Sequence, residues 1–269
     1  MSSYTLQTAE EKILRAFTTY PYLTVEQLTT CLYSSGSARY VSARLKALCE
    51  RKLLHRLTRE TINYPYVYCL GIQGIRYLQK IGCDIPVFHP SEHTQHAPLF
   101  LRHTLAVNDF LIAASQLPSI SPGIAVAEIK HDWTLKQTQK GVVPDGWIDF
   151  RIGERIQVCV WLEMDMGTMD QKPFRRKIAS LVAFSRQAYS QVFGTQSLTI
   201  AIVTLAGEQR RTNILSWIQK ELIDMQKEET ADMFRVLRVA HEGMTPAHLF
   251  LSAICSRPFD KTLLPLIEQ

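Results

Sequence analysis

The feature that most restricts the fold is a change of character about a third of the way along the 269-residue chain. Residues 1–86 hold eleven Lys/Arg against six Asp/Glu, and the remainder holds nineteen against nineteen, so the whole formal charge of +5 lies in the first third. A chain divided in this way is expected to form two domains, because single cores commonly hold ~100 to 150 residues and seldom grow past ~250. The basic portion attracts phosphate, and the neutral portion must act by other means.

Composition removes several classes. The apolar fraction of 46% supplies ordinary core material, but no run approaches the ~18 consecutive apolar residues of a membrane span. The opening MSSYTLQTAEEK lacks the apolar stretch of a secretory signal. A cytoplasmic protein without membrane contacts is therefore expected. Cys31, Cys49, Cys69, Cys83, Cys159 and Cys255 form no C-x-x-C pair and lie mostly in apolar runs, which reads as reduced, buried thiols.

In the basic third, Ile13, Leu14 and Phe17 share a helical face, with Thr8 as the expected cap and Glu11 as its capping-box partner. Tyr20-Pro21 ends that helix. Thr24 caps a second, whose buried edge is Val25, Leu28 and Leu32, and Ser34-Ser35-Gly36 turns the chain into a third. There Val41, Leu45 and Leu48 face inward, which turns Arg39, Ser42, Ala43 and Lys46 outward as cations separated by small residues. Such a face can approach base edges closely and reach guanine or phosphate. Residues 53–57 and 64–70 read as two strands around the polar turn 58–61, and a helix over 71–81 buries Ile72, Ile75 and Leu78. Three helices and a hairpin carrying Arg56 and Arg59 make the plan of a winged helix-turn-helix, with double-stranded DNA as its partner. The same plan also serves protein–protein contacts, and the segregated charge favours DNA.

Residues 83–98 contain three prolines together with His89, His93 and His96, and read as a linker in which no cysteine or carboxylate completes a metal set. Beyond it strands alternate with helices: a helix over 101–117, a strand over 124–135, a hairpin of 146–152 with 156–164, a basic helix over 170–192, a strand over 198–205, a helix over 207–225, a strand over 234–240 and a last helix over 246–255. This order predicts a mixed sheet with helices on its faces. The chemistry gathers on the hairpin. Glu163 and Asp165 share one strand face, Asp145 and Asp149 share another, and antiparallel pairing brings Asp145 toward Glu163 and Asp165. Three converging carboxylates suit Mg²⁺, with Glu128 on the preceding strand as a fourth candidate ligand.

Pro144-Asp145-Gly146 followed by Glu163-Met164-Asp165 resembles the PD-(D/E)xK nuclease signature. Together with the winged helix, the run His103-Thr-Leu-Ala-Val-Asn108-Asp109-Phe110 and the segment Leu162-Glu163-Met164-Asp165-Met166-Gly167-Thr168, the chain resembles the replication-relaxation family of plasmid and mobile-element proteins. That resemblance implies contact with DNA in plasmid replication and relaxation, alongside other replication, mobilisation or transposition proteins. One departure matters, since Asp165 stands where the nuclease pattern has its lysine. Lys177, or failing it Lys172, is the expected substitute from the following helix, whose N-terminus also suits a phosphate. Lys172, Arg175 and Arg176 are expected DNA contacts there.

The fold class expected is thus α/β (α+β): an N-terminal winged helix-turn-helix over 1–85, a linker over 86–100 and a mixed-sheet PD-(D/E)xK restriction-endonuclease-like domain over 101–269. Two functions remain open. In one, Asp145, Glu163 and Asp165 hold Mg²⁺ and Lys177 assists phosphodiester cleavage. In the other, the second domain of a regulator or assembly factor contacts DNA or a partner without cutting.

Overall fold

The computed structural model describes residues 6–57, 64–85, 98–138 and 141–268. The chain divides into two compact units, Met1–Ile112 and Ala113–Gln269. The division falls inside a helix rather than in the expected linker, most of which, with His89, His93 and His96, lies outside the described residues.

The first unit contains α1 (Thr8–Thr19), β1 (Leu23–Thr24), α2 (Val25–Leu32), α3 (Ala38–Glu50), β2 (Leu54–Arg56), β3 (Val67–Leu70) and α4 (Ile72–Lys80). Its strands form an antiparallel sheet in the order β1-β3-β2, pairing Leu23 with Tyr68 and Leu54 with Leu70. The α1 cap falls one residue earlier than expected, on Gln7 with Glu10, because Glu11 is committed to Arg15 and the Tyr77 hydroxyl, each at 2.8 Å. Thr24 caps α2 as expected, in a reciprocal box with Gln27. Val41, Leu45 and Leu48 of α3 are fully buried. Helix α4 corrects one expectation: Ile72 is exposed, and the buried stripe is Gly74, Ile75 and Leu78. The reason is steric. A Cβ on Gly74 would stand 2.1 Å from the Leu53 carbonyl oxygen, so the helix rests its glycine face on the chain before β2 and turns Ile72 outward.

The long helix α5 (Pro98–Ile120) begins in the first unit. Leu101 and Leu105 join Tyr22, Leu57, Val67 and Cys69 in one cluster. Polar bonds fix the register of this contact: the Asn108 amide donates to the Tyr22 carbonyl, and the Gln27 amide donates to the Leu105 carbonyl at 2.8 Å and to Asp109 at 2.7 Å. The Asn108 of the His103–Phe110 run therefore holds a helix in place, and its amide is spent on the backbone.

In the second unit β4 (Ile124–His131), β5 (Gly146–Ile152) and β6 (Ile156–Asp165) form an antiparallel meander, and β7 (Thr199–Thr204) and β8 (Phe234–Arg238) follow in parallel. The short β9 (Cys255–Ser256) and β10 (Leu263–Leu264) complete the sheet order β10-β9-β8-β7-β6-β5-β4 among the described residues. The parallel steps are made through α7 (Gln171–Gln187) and α9 (Glu208–Met225). Both helices cover one face of the sheet, where Phe174, Ile178, Ile214 and Ile218 meet Trp161, Ile200, Ile202 and Phe234.

Three boundaries differ from expectation. β4 stops at His131 because Asp132 starts a short helix, α6 (Asp132–Thr138), which is held by its pair with Lys136 and buries Leu135 against Trp147 and Cys159. The basic helix breaks at Ala188, and the separate α8 (Tyr189–Phe193) places the Tyr189 hydroxyl on the Ser197 carbonyl at 2.7 Å. The expected last helix is only the turn Ala247–Leu251. No helix among the described residues is long and apolar enough to cross a membrane.

Replacing Gly74 by alanine is expected to cost about 1 to 3 kcal/mol by overpacking against the backbone. Ile72→Ala, on the exposed side, should stay within about 0.5 kcal/mol. Urea unfolding of both variants checks this, and equal effects would contradict the packing described.

Candidate functional site

In the first unit, Arg39, Ser42, Ala43 and Lys46 are all exposed on α3, on the side opposite the buried Val41, Leu45 and Leu48. Arg56 on β2 is exposed too, with its guanidinium over the Tyr66 ring at 4.5 Å. Arg59 lies outside the described residues. Exposed Tyr40 extends the α3 face, stacked by Arg44 at 5.1 Å and edge-on to Tyr33.

In the second unit the carboxylates sit where β5 and β6 run out. Asp145 prolongs β5 by one residue, since its N–H donates to the Leu162 carbonyl at 3.0 Å. Its Oδ2 accepts the Met164 N–H at 2.7 Å. Strand alternation puts Trp161, Glu163 and Asp165 on the face covered by α7 and α9. Glu163 is buried there, its Oε1 accepting the Trp161 indole N–H at 2.7 Å and its Oε2 paired with the Lys177 ammonium from α7. Burial pushes the Glu163 carboxyl up to about 7, with Lys177 opposing and Asp145 adding to the rise. Burial also pulls the Lys177 ammonium down, but Glu163, Asp145 and Asp165 outweigh it and leave Lys177 above its ordinary value. One lysine therefore faces three carboxylates.

Asp165 is held differently. Arg210 of α9 grips it with both prongs, Nη2 to Oδ1 at 2.7 Å and Nε to Oδ2 at 3.0 Å, and the Thr204 hydroxyl donates to Oδ2 at 2.8 Å. A third Arg210 bond reaches the Met169 carbonyl at 2.7 Å, and the guanidinium lies 4.8 Å from the Trp217 ring centre. Arg210 was not anticipated from the sequence. It sits in the first turn of α9, where the helix dipole disfavours a cation, and that misfit is the one local sign that a carboxylate elsewhere requires it.

The other expected participants stand apart. Glu128 is half exposed, pairs with Lys130 at 3.0 Å and lies opposite Asp149 in the sheet register. The row of Asp145 is about four residues farther along β4, roughly 13 Å away. Asp149 is buried with Arg151 at 2.7 Å and Gln157 at 3.0 Å. Arg175 is tied to Glu221 at 2.6 Å and to Asp224. Lys172 and Arg176 are exposed on α7, and Lys172 stands about 140° around the helix from Lys177, so Lys177 alone of the two candidates reaches the acids.

These residues do not fit the Mg²⁺ implied by the nuclease resemblance. Both Asp165 oxygens and Glu163 Oε1 accept hydrogen bonds from the protein's own donors, Glu163 Oε2 has the Lys177 ammonium beside it, and among the described residues no three His, Cys, Asp or Glu side chains gather as a metal set. The expected ligand group of Asp145, Glu163, Asp165 and Glu128 is therefore not assembled. The cavity beside Glu163, Asp165, Met169, Phe174 and Lys177 measures about 30 Å³, enough for a water and too small for a phosphodiester.

The two units thus define a class: an α+β protein joining a basic helical module to a mixed sheet with a carboxylate–lysine centre. The chain belongs to the replication-relaxation family, whose model matches residues 14–196, more than half of its length. The match spans Arg39, Lys46, Asp145, Glu163, Asp165 and Lys177 and ends before Arg210. The chain matches no curated protein and no solved structure.

A carboxyl whose folded pKa is raised stabilises the fold at low pH and loses that contribution as pH rises. Relative to Glu163→Gln, the wild type should therefore lose stability between about pH 4.5 and about 7, with a slope of at most about 1.4 kcal/mol per pH unit. Lys177→Met should extend the loss to higher pH. Urea unfolding across this range checks both, and a pH-independent difference would contradict the burial of this pair.

Proposed function

We propose that this is a DNA-binding protein acting in the replication of a plasmid or other mobile element. In this reading the first unit is a winged helix that selects duplex DNA through Arg39, Ser42 and Lys46, with Arg56 on the wing. The second unit is a PD-(D/E)xK-like domain that contacts DNA without cutting it. The observation that carries the reading is the two-sided α3, which buries Val41, Leu45 and Leu48 completely and turns Arg39 and Lys46 outward with the small Ser42 and Ala43 between them and Tyr40 beside them. Small side chains admit the helix to the major groove, and Arg39 and Lys46 then reach base edges or phosphates. Family membership and the charge surplus in residues 1–86 support the same partner.

For the second unit, closure of Glu163 by Lys177 and of Asp165 by Arg210 favours a non-cutting role. A second reading, nicking of the phosphodiester backbone, draws on Lys177 itself, which arrives from α7 beside Glu163 and restores the charge of the lysine missing at 165. That reading requires Lys177 to leave Glu163 first.

Supercoiled plasmid incubated with the protein and Mg²⁺, Mn²⁺ or EDTA separates the two. The expected outcome is retarded plasmid with no more nicked circles than without protein; metal-dependent nicking abolished by Asp145→Asn and Lys177→Ala would install the second reading. In parallel, Arg39→Ala with Lys46→Ala should weaken duplex binding by about 1 to 3 kcal/mol for each base-reading side chain lost. Unchanged affinity and salt dependence would overturn the assignment of α3.

A further inference from the structure

On the solvent side of α7, away from the acids, the first turns of that helix and the middle of α9 enclose a second cavity of about 300 Å³ lined by Gln171, Lys172, Arg175, Arg176, Lys220 and Glu221. That is ten times the volume beside Glu163 and reaches the size of ordinary small-ligand sites. The lining holds four cations and one anion. The single acid is used already, because Glu221 and neighbouring Asp224 hold Arg175 from behind. The side chains of Lys172, Arg176 and Lys220 are exposed and form no hydrogen bond or ion pair with any described residue.

Three unpaired cations around one concavity repel each other, and an anion between them relieves that repulsion. Arg175, braced by two carboxylates, is a fixed wall with a planar guanidinium. We infer that this pocket is a phosphate-binding site, separate from the carboxylate–lysine centre on the inner side of the same helix. Its source of phosphate is the backbone of a nucleic-acid strand, a point that rests on the DNA reading above; the pocket itself rests on its own geometry.

The test compares the full chain with Lys172→Ala/Arg176→Ala/Lys220→Ala, all exposed positions, and with an equally charge-depleted control, Arg155→Ala/Arg238→Ala/Lys261→Ala. One arm measures duplex binding against salt on a DNA of unrelated sequence. The other measures the melting temperature with inorganic pyrophosphate. Pyrophosphate should raise the melting temperature of the wild type and the control but not of the pocket variant. The pocket variant should also bind duplex with a slope of log affinity against log salt shallower by about 2 to 3 than the control, as expected for three lost phosphate contacts. Loss of the pyrophosphate response with unchanged DNA binding leaves the site standing with free phosphate as its source. Should the wild type bind no DNA at all, the DNA reading fails and the pyrophosphate arm alone decides the pocket. Equal behaviour of pocket variant and control in both arms overturns the inference.

Discussion

Burying a carboxylate in a sheet face is costly unless a cation comes with it, and the second unit is arranged around two such acids. Glu163 and Asp165 both point into the face that α7 and α9 cover, where their neighbours are Trp161, Ile178, Ile202 and Phe174. Each helix sends one cation inward. Lys177 from α7 answers Glu163, and Arg210 from α9 answers Asp165. The ion pairs therefore tie both crossover helices to the carboxyl ends of β6 and β7. The close approach of the loops after these strands follows: Gly167 has φ +79°, and a Cβ there would meet the Ala206 side chain at 2.5 Å.

The same arrangement explains what an aspartate at 165 does to a nuclease-like pattern. A lysine at this position would bring a positive charge on the strand itself. Asp165 brings a negative one, and the chain answers with Arg210, whose guanidinium satisfies both carboxylate oxygens. Three acids then stand against two protein cations, with burial raising the Glu163 carboxyl to about 7. So balanced a cluster has little charge left to attract a divalent ion. The outer face of α7 has the opposite character, with unpaired cations around an open pocket, and one helix thereby separates a closed acidic centre from an exposed basic one.

Much of this was readable from spacing. The alternation of β5 and β6 fixed which acids face each other, and the i, i+4, i+7 apolar stripe of α3 fixed which cations face water. Lys177 was within reach of the same reasoning, because it lies one residue before the buried Ile178. Other features depended on contacts between distant segments. Ile72 turns outward because Gly74 meets the Leu53 carbonyl, and Arg210 lies 45 residues from the acid it serves. Glu128 shows the limit from the other side: alternation gives the face of a strand residue, and only register tells how far along the sheet it stands.

Calorimetric titration of the full chain with Mg²⁺ and with Mn²⁺ tests most directly whether the carboxylates of the second unit are neutralised from within. If Lys177 and Arg210 already hold Glu163 and Asp165, the wild type should bind neither ion stoichiometrically, and Lys177→Met should gain a binding event that Asp145→Asn in the same background removes. Stoichiometric binding by the wild type, abolished by Asp145→Asn or Glu163→Gln, would contradict the closed site.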